Sequence, residues 1–212
     1  MPNTPPRVAV VVTQLGQGGA ERQTVELLRA LAGTPRRPAL VVCLSDDLEP
    51  HAAAIERLGY PLIALPRRSS FDVVRMVRLR RILLRERIDI VHAVHLLASA
   101  YAYTACAWSG GITVLPSMRG TVVRPPLAKR IVFRSMFRRC PRTLVNSERG
   151  ARFLVEQFGA PSERLAVVPN GVDFAALRAR AGEGALRREL GLGPDVPVAG
   201  FAGRNTPVKN VP

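Results

Sequence analysis

The chain has 212 residues, 47% of them hydrophobic, which fits one ordinary domain with something added and allows a sizeable core. Its formal net charge of +15 is almost wholly arginine; a GC-rich coding bias explains that as well as an anionic partner does, whether nucleotide diphosphate, nucleic acid or acidic membrane. Aromatic residues are only 5%, too few to favour base stacking on single strands, and the apolar run Val8–Val12 is far short of the ~20 residues that a membrane span needs.

In chain order, Met1-Pro2-Asn3-Thr4-Pro5-Pro6 has no basic n-region, so no signal peptide is expected. Short runs rich in Val, Ile and Leu then alternate with amphipathic stretches. Val8–Val12, Ala39–Leu44, Pro61–Leu65, Ile88–Val91, Ile112–Leu115, Thr143–Val145 and Leu165–Val168 read as strands of a parallel sheet covered on both faces. Thr24, Leu27, Leu28 and Leu31 mark one helix. Val73, Val77, Arg80, Ile82 and Leu84 lie in a second, and Phe153, Leu154 and Phe158 mark a third behind the N-cap candidate Ser147. Repeated βα units with right-handed crossovers give a doubly wound, Rossmann-like α/β sheet. Cys43, Cys106 and Cys140 are odd in number and widely spaced. They read as free thiols of a reducing compartment, without metal-ligand spacing.

Residues 1–168 therefore form one domain. Residues 169–196 read as an interdomain connection, with turn chemistry at Pro169-Asn170-Gly171 and helical pieces near Phe174–Ala181 and Ala185–Leu190. Pro197–Ala202 reads as the first strand of a second domain, which residues 197–212 only begin. A strand followed by a loop with Arg204 and Lys209 should open a further βα unit, so the chain is expected to hold about half of a site built between two domains.

Four places carry chemistry. Glycines after the first strand, Gly16, Gly18 and Gly19, let a backbone approach a ligand, and the helix N-terminus behind them favours an anion. Glu21 stands where a dinucleotide fingerprint would need glycine, which disfavours a dinucleotide-dependent oxidoreductase. His92 and His95 fall at the expected end of the fourth strand, where imidazoles could meet a sugar hydroxyl or transfer a proton; core or capping roles are the plainer alternative. Arg119, after the fifth strand, could reach the same cleft. Arg204 and Lys209 could clamp a diphosphate and neutralise a leaving group. Two basic amphipathic stretches, Arg67–Arg87 and Lys129–Arg139, fit either core-facing helices with a solvated arginine face or helices that dock on an anionic membrane. In the second stretch the position of Phe133 and Phe137 decides.

Gly18-Gly19-Ala20-Glu21-Arg22, Asp89-Ile90-Val91-His92, Val167-Val168-Pro169-Asn170-Gly171-Val172-Asp173 and Gly203-Arg204 with Lys209 together resemble the retaining GT-B glycosyltransferases of family 4. Leu144-Val145-Asn146-Ser147 before a helix is similar too. The resemblance implies two Rossmann-like domains, the N-terminal one holding the acceptor and the C-terminal one a nucleotide-diphosphate sugar. It implies transfer with retention and no required metal or other cofactor, the leaving phosphate helping to deprotonate the acceptor. Arg204 and Lys209 match the pair that grips the donor diphosphate, Gly18 and Gly19 the loop near donor phosphates and acceptor, and His92 the first histidine of the strand-four motif. Glu21 and Arg119 belong to the acceptor side.

The chain departs from the family twice. Val94 stands where the second histidine would be, with His95 one residue later, and the family's Glu-x7-Glu pair is absent. These 212 residues alone are thus expected not to turn over donor. The expected acceptor is a glycan or a lipid-linked sugar, and the expected location cytoplasmic, peripheral on the inner face of an anionic membrane. No specific nucleic-acid partner is expected. A noncatalytic acceptor- or membrane-binding module is the alternative.

Overall fold

The structure, a computed structural model, describes residues 5–67, 72–107, 110–120, 125–180, 184–193, 195–201 and 203. The chain divides into two compact units, Met1–Gly171 and Val172–Pro212. The first runs β1 (Val8–Val12), α1 (Gly19–Leu31), β2 (Leu40–Cys43), α2 (Ala52–Arg57), β3 (Leu62–Ala64), α3 (Val73–Arg85) and β4 (Ile90–Val94). It continues through α4 (Leu96–Cys106), β5 (Thr113–Met118), α5 (Leu127–Arg139), β6 (Thr143–Val145), α6 (Glu148–Phe158) and β7 (Leu165–Val167). All seven strands are parallel, in the order β3-β2-β1-β4-β5-β6-β7. This is the doubly wound α/β sheet that the apolar runs predict, with strand ends displaced by a few residues.

Alternate residues along each strand feed two cores, as a period of two requires. Val10, Val12, Val41 and Cys43 pack under α1 and α2 with Val25, Leu28 and Ile55. Ala9, Val11, Val42 and Val91 face the other side, where Leu79, Leu83, Phe137 and Phe158 cover them. Parallel strands pair in register across the centre: Val10 lies beside His92, and His92 beside Leu115. Helix ends follow local chemistry. Ser147 caps α6 by accepting from the Gly150 N–H at 3.1 Å, and Gly159 ends it at φ +61°.

Three helices add to the sequence reading or decide between its alternatives. Helix α4 was not anticipated, because its residues Leu96–Cys106 are apolar or small all round and carry no polar stripe. Helix α3 turns Arg75, Leu79 and Leu83 inward and leaves Val73, Val77 and Leu84 exposed. Helix α5 is core-facing: Phe133 is 4% exposed and Phe137 1%, with ring centroids 5.5 and 5.8 Å from Phe158.

The second unit contains α7 (Phe174–Arg180) and α8 (Ala185–Glu189). Asp173 starts α7 by accepting from the Ala176 N–H at 2.9 Å. Pro197–Phe201, expected as a strand, is not one. A strand requires a ladder partner, none is found among the described residues, and Val198 and Phe201 stay exposed.

Candidate functional site

The chain builds β1, β2 and β3 outward in one direction and then places β4 on the other side of β1. Loops leaving β1 and β4 therefore diverge, and a crevice opens beyond their carboxyl ends, the place where open α/β sheets bind ligands. From β1 comes the glycine loop. Gly18 is the N-cap of α1 in extended geometry, and among the described residues no side chain caps the helix. A Cβ on Gly18 would sit 2.0 Å from Glu21 Oε2, so the absent side chain makes room for a carboxylate. A Cβ on Gly19 would meet nothing within 4 Å, so the space beside the first residue of α1 is open. Glu21 is buried and accepts from Gln14 Nε2 at 3.4 Å.

The two histidines separate. His92 lies inside β4, not at its end, because Ala93 and Val94 extend the strand beyond it. It is 9% exposed, and its Nε2 has no hydrogen-bond partner among the described residues. Burial first, and the Arg119 charge second, bring its pKa down to about 4, so the ring is neutral at pH 7. His95 follows the strand, at φ +75° and ψ 151°, a region populated almost only by glycine. Such a conformation persists only where neighbours over-determine it. Here the buried Ser99 hydroxyl lies 2.8 Å from the His95 carbonyl and 3.1 Å from that of Ala93, and accepts from the Ser117 N–H at 3.3 Å. Burial lowers the His95 pKa as well, Arg119 adding to the shift and Glu21 opposing it.

Arg119, one residue beyond β5, donates to Asn170 Oδ1 at 3.3 Å. Burial lowers its pKa, yet a guanidinium remains charged at neutral pH. Ser117 Oγ and Thr13 Oγ1, beside the same strand ends, are buried without partners among the described residues. The structure thus gathers Gly18, Gly19, Glu21, His92, His95 and Arg119 at one crevice. Arg204 and Lys209 lie outside the described residues. No group of three or more metal-ligating side chains occurs among the described residues.

Residues 17–176 match the family described as Glycosyltransferase Family 4. The chain belongs to that family. D-inositol 3-phosphate glycosyltransferase of Nocardia farcinica is 34% identical over 126 residues, which are 59% of this chain and 25% of the relative. The chain thus spans about a quarter of the length of the curated relatives it matches. A glycosyltransferase from Rickettsia africae superposes with a TM-score of 0.72 at 17% identity, over 91% of this chain and 52% of that one. Anabaena Alr3699/HepE, solved in complex with UDP, gives 0.69 at 15% identity, over 87% and 50%. These two share the fold, the GT-B Rossmann-like arrangement.

In this family 4 chain the motif reading missed Ser99, Ser117, Thr13 and Gln23. The partners of Ser99 are backbone groups on two strands, and no sequence spacing announces those.

Proposed function

We propose that the first unit is the acceptor-side half of a retaining glycosyltransferase that uses a nucleotide-diphosphate sugar. The observation that carries this reading is one juxtaposition: the glycine loop at the start of α1, with open space beside Gly19 and the Glu21 carboxylate against Gly18, lies beside two neutral histidines and Arg119. The helix N-terminus suits donor phosphate, and Arg119, expected on the acceptor side, would also serve that phosphate. A neutral imidazole offers one donor and one acceptor, which suits sugar hydroxyls. Arg204 and Lys209 belong to the proposal as further diphosphate ligands.

Retention, with no metal required, is the family's expectation carried to this chain. The bond from the anomeric carbon to the departing phosphate breaks while the acceptor oxygen bonds the same face. The acceptor proton passes to an oxygen of that phosphate. His92 and His95 orient hydroxyls in this scheme, and Glu21 opposes the fall in the His95 pKa. The relatives named for D-inositol 3-phosphate favour an acceptor that joins hydroxyls to an anionic group.

A second reading of the acceptor, lipid-linked, rests on the outer faces of α3 and α5. Helix α5 exposes Leu127 (71%) and Ile131 (63%) beside Lys129, Arg134 and Arg138, and α3 exposes Val74, Val77 and Leu84 beside Arg78 and Arg81. Among the described residues no helix is long and apolar enough to cross a membrane. Such stripes suit an anionic headgroup layer.

Calorimetric titration of the chain with UDP tests the donor side. Arg119→Ala and His92→Ala are each expected to weaken binding about tenfold or more. Absence of binding, together with no response of either histidine, would leave a noncatalytic module. Binding of inositol phosphate in solution, against co-sedimentation with phosphatidylglycerol vesicles at low salt, separates the two acceptor readings.

A further inference from the structure

The last residues of the first unit are held by side chains from distant parts of the chain. Gln23 Nε2 donates to the Gly171 carbonyl at 2.7 Å, and the Gly171 N–H donates to Gln23 Oε1 at 3.1 Å. One side-chain amide thus satisfies both backbone groups of one residue, across 148 positions of sequence. The neighbouring residue, Asn170, accepts from Arg119. Just before them, the Val168 N–H continues the ladder to the Val145 carbonyl at 2.8 Å. Residues 168–171 therefore leave the sheet edge at β7 and return toward α1, tied successively to β6, to the loop after β5, and to α1.

The ties to Arg119 and Gln23 are the informative ones. Strands β1 and β7 stand four places apart, roughly 19 Å at the spacing of adjacent strands. Three residues of extended chain cover only about half of that, and the long Gln23 side chain helps to span the rest. Fixing such a side chain costs conformational entropy, and a surface loop could be solvated without it. Gln23 also sits one helical turn beyond Gly19, beside which the crevice is open. Arg119, the second tie, is the cation that acts on both histidines.

We infer that Gln23 is a positioning residue. It clasps the exit of the first unit to the glycine-loop helix, so that whatever follows Gly171 starts from a fixed point beside the crevice. It touches no ligand in this role. The clasp itself stands on geometry, and only its consequence for turnover rests on the transferase reading.

Hydrogen exchange on the full chain, with Gln23→Ala and Gln23→Glu, tests it. Glutamate keeps an oxygen for the Gly171 N–H but turns its second carboxylate oxygen against the Gly171 carbonyl, whereas alanine loses both bonds. Exchange over residues 170–172 should rise about tenfold in Gln23→Ala and by less in Gln23→Glu. Exchange across β1 and β4 should be unchanged in both. Equal rates at 170–172 in all three proteins would overturn the clasp. So would a rise spread over the whole sheet in Gln23→Ala, which would make Gln23 a stability residue.

Calorimetric titration with UDP supplies the second readout. A residue that positions the chain at Gly171 and touches no ligand should leave UDP affinity within about twofold of wild type in Gln23→Ala and Gln23→Glu. A loss of about tenfold or more in Gln23→Ala would place Gln23 in the donor pocket and overturn the positioning role. If the exchange pattern holds while the wild-type chain binds no UDP, the clasp stands and the transferase reading fails.

Discussion

The two ends of the sheet both bury titratable side chains, and they differ in what those side chains do with their polarity. At the carboxyl end, burial brings His92 down to about 4 and lowers His95. At the amino end, Cys106 and Cys140 line a small cavity with Tyr103 and Arg139, and burial pushes their thiols up to about 12 and about 11. The leading cause is the same in each case, so a perturbed pKa alone does not mark a site. Partnership does. The Tyr103 hydroxyl is matched to Ser135 Oγ at 2.8 Å and to Arg139 at 3.4 Å. At the carboxyl end His92 Nε2, Ser117 Oγ and Thr13 Oγ1 have no such match among the described residues. Unspent hydrogen-bonding capacity beside the glycine loop is what a ligand can use.

The comparison divides stability from binding, and its strongest test lies on the apolar side. Phe158 is fully buried among Phe133, Phe137 and Phe153, with centroids 5.5 to 6.0 Å away. Phe158→Ala should cost ~3–5 kcal/mol in urea unfolding. If the variant is still folded, UDP binding should be unchanged, because Phe158 is the last residue of α6 and none of the residues gathered at the crevice lies on that helix. A binding defect in a folded Phe158→Ala would break the division.

Acid is the next largest effect. The folded-state pKa of His92 lies below its ordinary value of 6.5, so the unfolded chain binds the extra proton. The His92 contribution should therefore be flat above pH 7 and fall as pH drops from about 6.5 toward 4. Each such group can shift the folding equilibrium by up to roughly tenfold per pH unit. His95 is shifted in the same direction and adds to the slope. His92→Leu should flatten the curve and leave stability at pH 7 equal or higher, since it removes an unpartnered polar atom. An unchanged slope in that variant would mean that His92 is solvated in the folded protein.

How much of this was visible in the sequence depends on the kind of interaction. The sheet was legible because parallel strands buried on both faces read as Val- and Ile-rich runs. Helix α4 was not, since Leu96–Cys106 has no polar side to set a period. The depth of His92 was misjudged for a related reason: the polar ring looks like the end of an apolar run, and Ala93-Val94 carry the run further. The glycine loop, both histidines and Arg119 were legible as motif residues, and strand order explains why they meet. Ser99 and Gln23 were not. Their partners are main-chain atoms, and Gln23 lies 148 positions from Gly171.

Ser99 tests the boundary from the polar side. Its hydroxyl is buried and serves two carbonyls at the end of β4 and one amide of β5. Ser99→Ala should cost ~1–3 kcal/mol by leaving those groups short of a partner. Unlike Phe158→Ala, it should also relax His95 from φ +75°, visible as a changed imidazole NMR shift, and weaken UDP binding several-fold. A stability loss with an unmoved His95 resonance would show that Ser99 only staples the two strands.

The smallest expected effect belongs to the amino end. Cys106 is buried and its thiol is held neutral, so it should react with a thiol reagent at pH 8 far more slowly than a free thiol. Cys106→Ala removes one sulfur from the wall of an existing cavity, at a cost of about 1 kcal/mol or less. UDP affinity and the acid slope should both stay at wild-type values, because Cys106 lies at the opposite end of the sheet from the crevice. Only a coupled response would tell against this: altered UDP binding in folded Cys106→Ala would mean that the strands between the two ends transmit packing changes. The carboxyl end would then owe its properties to the whole sheet and not to the groups that line it.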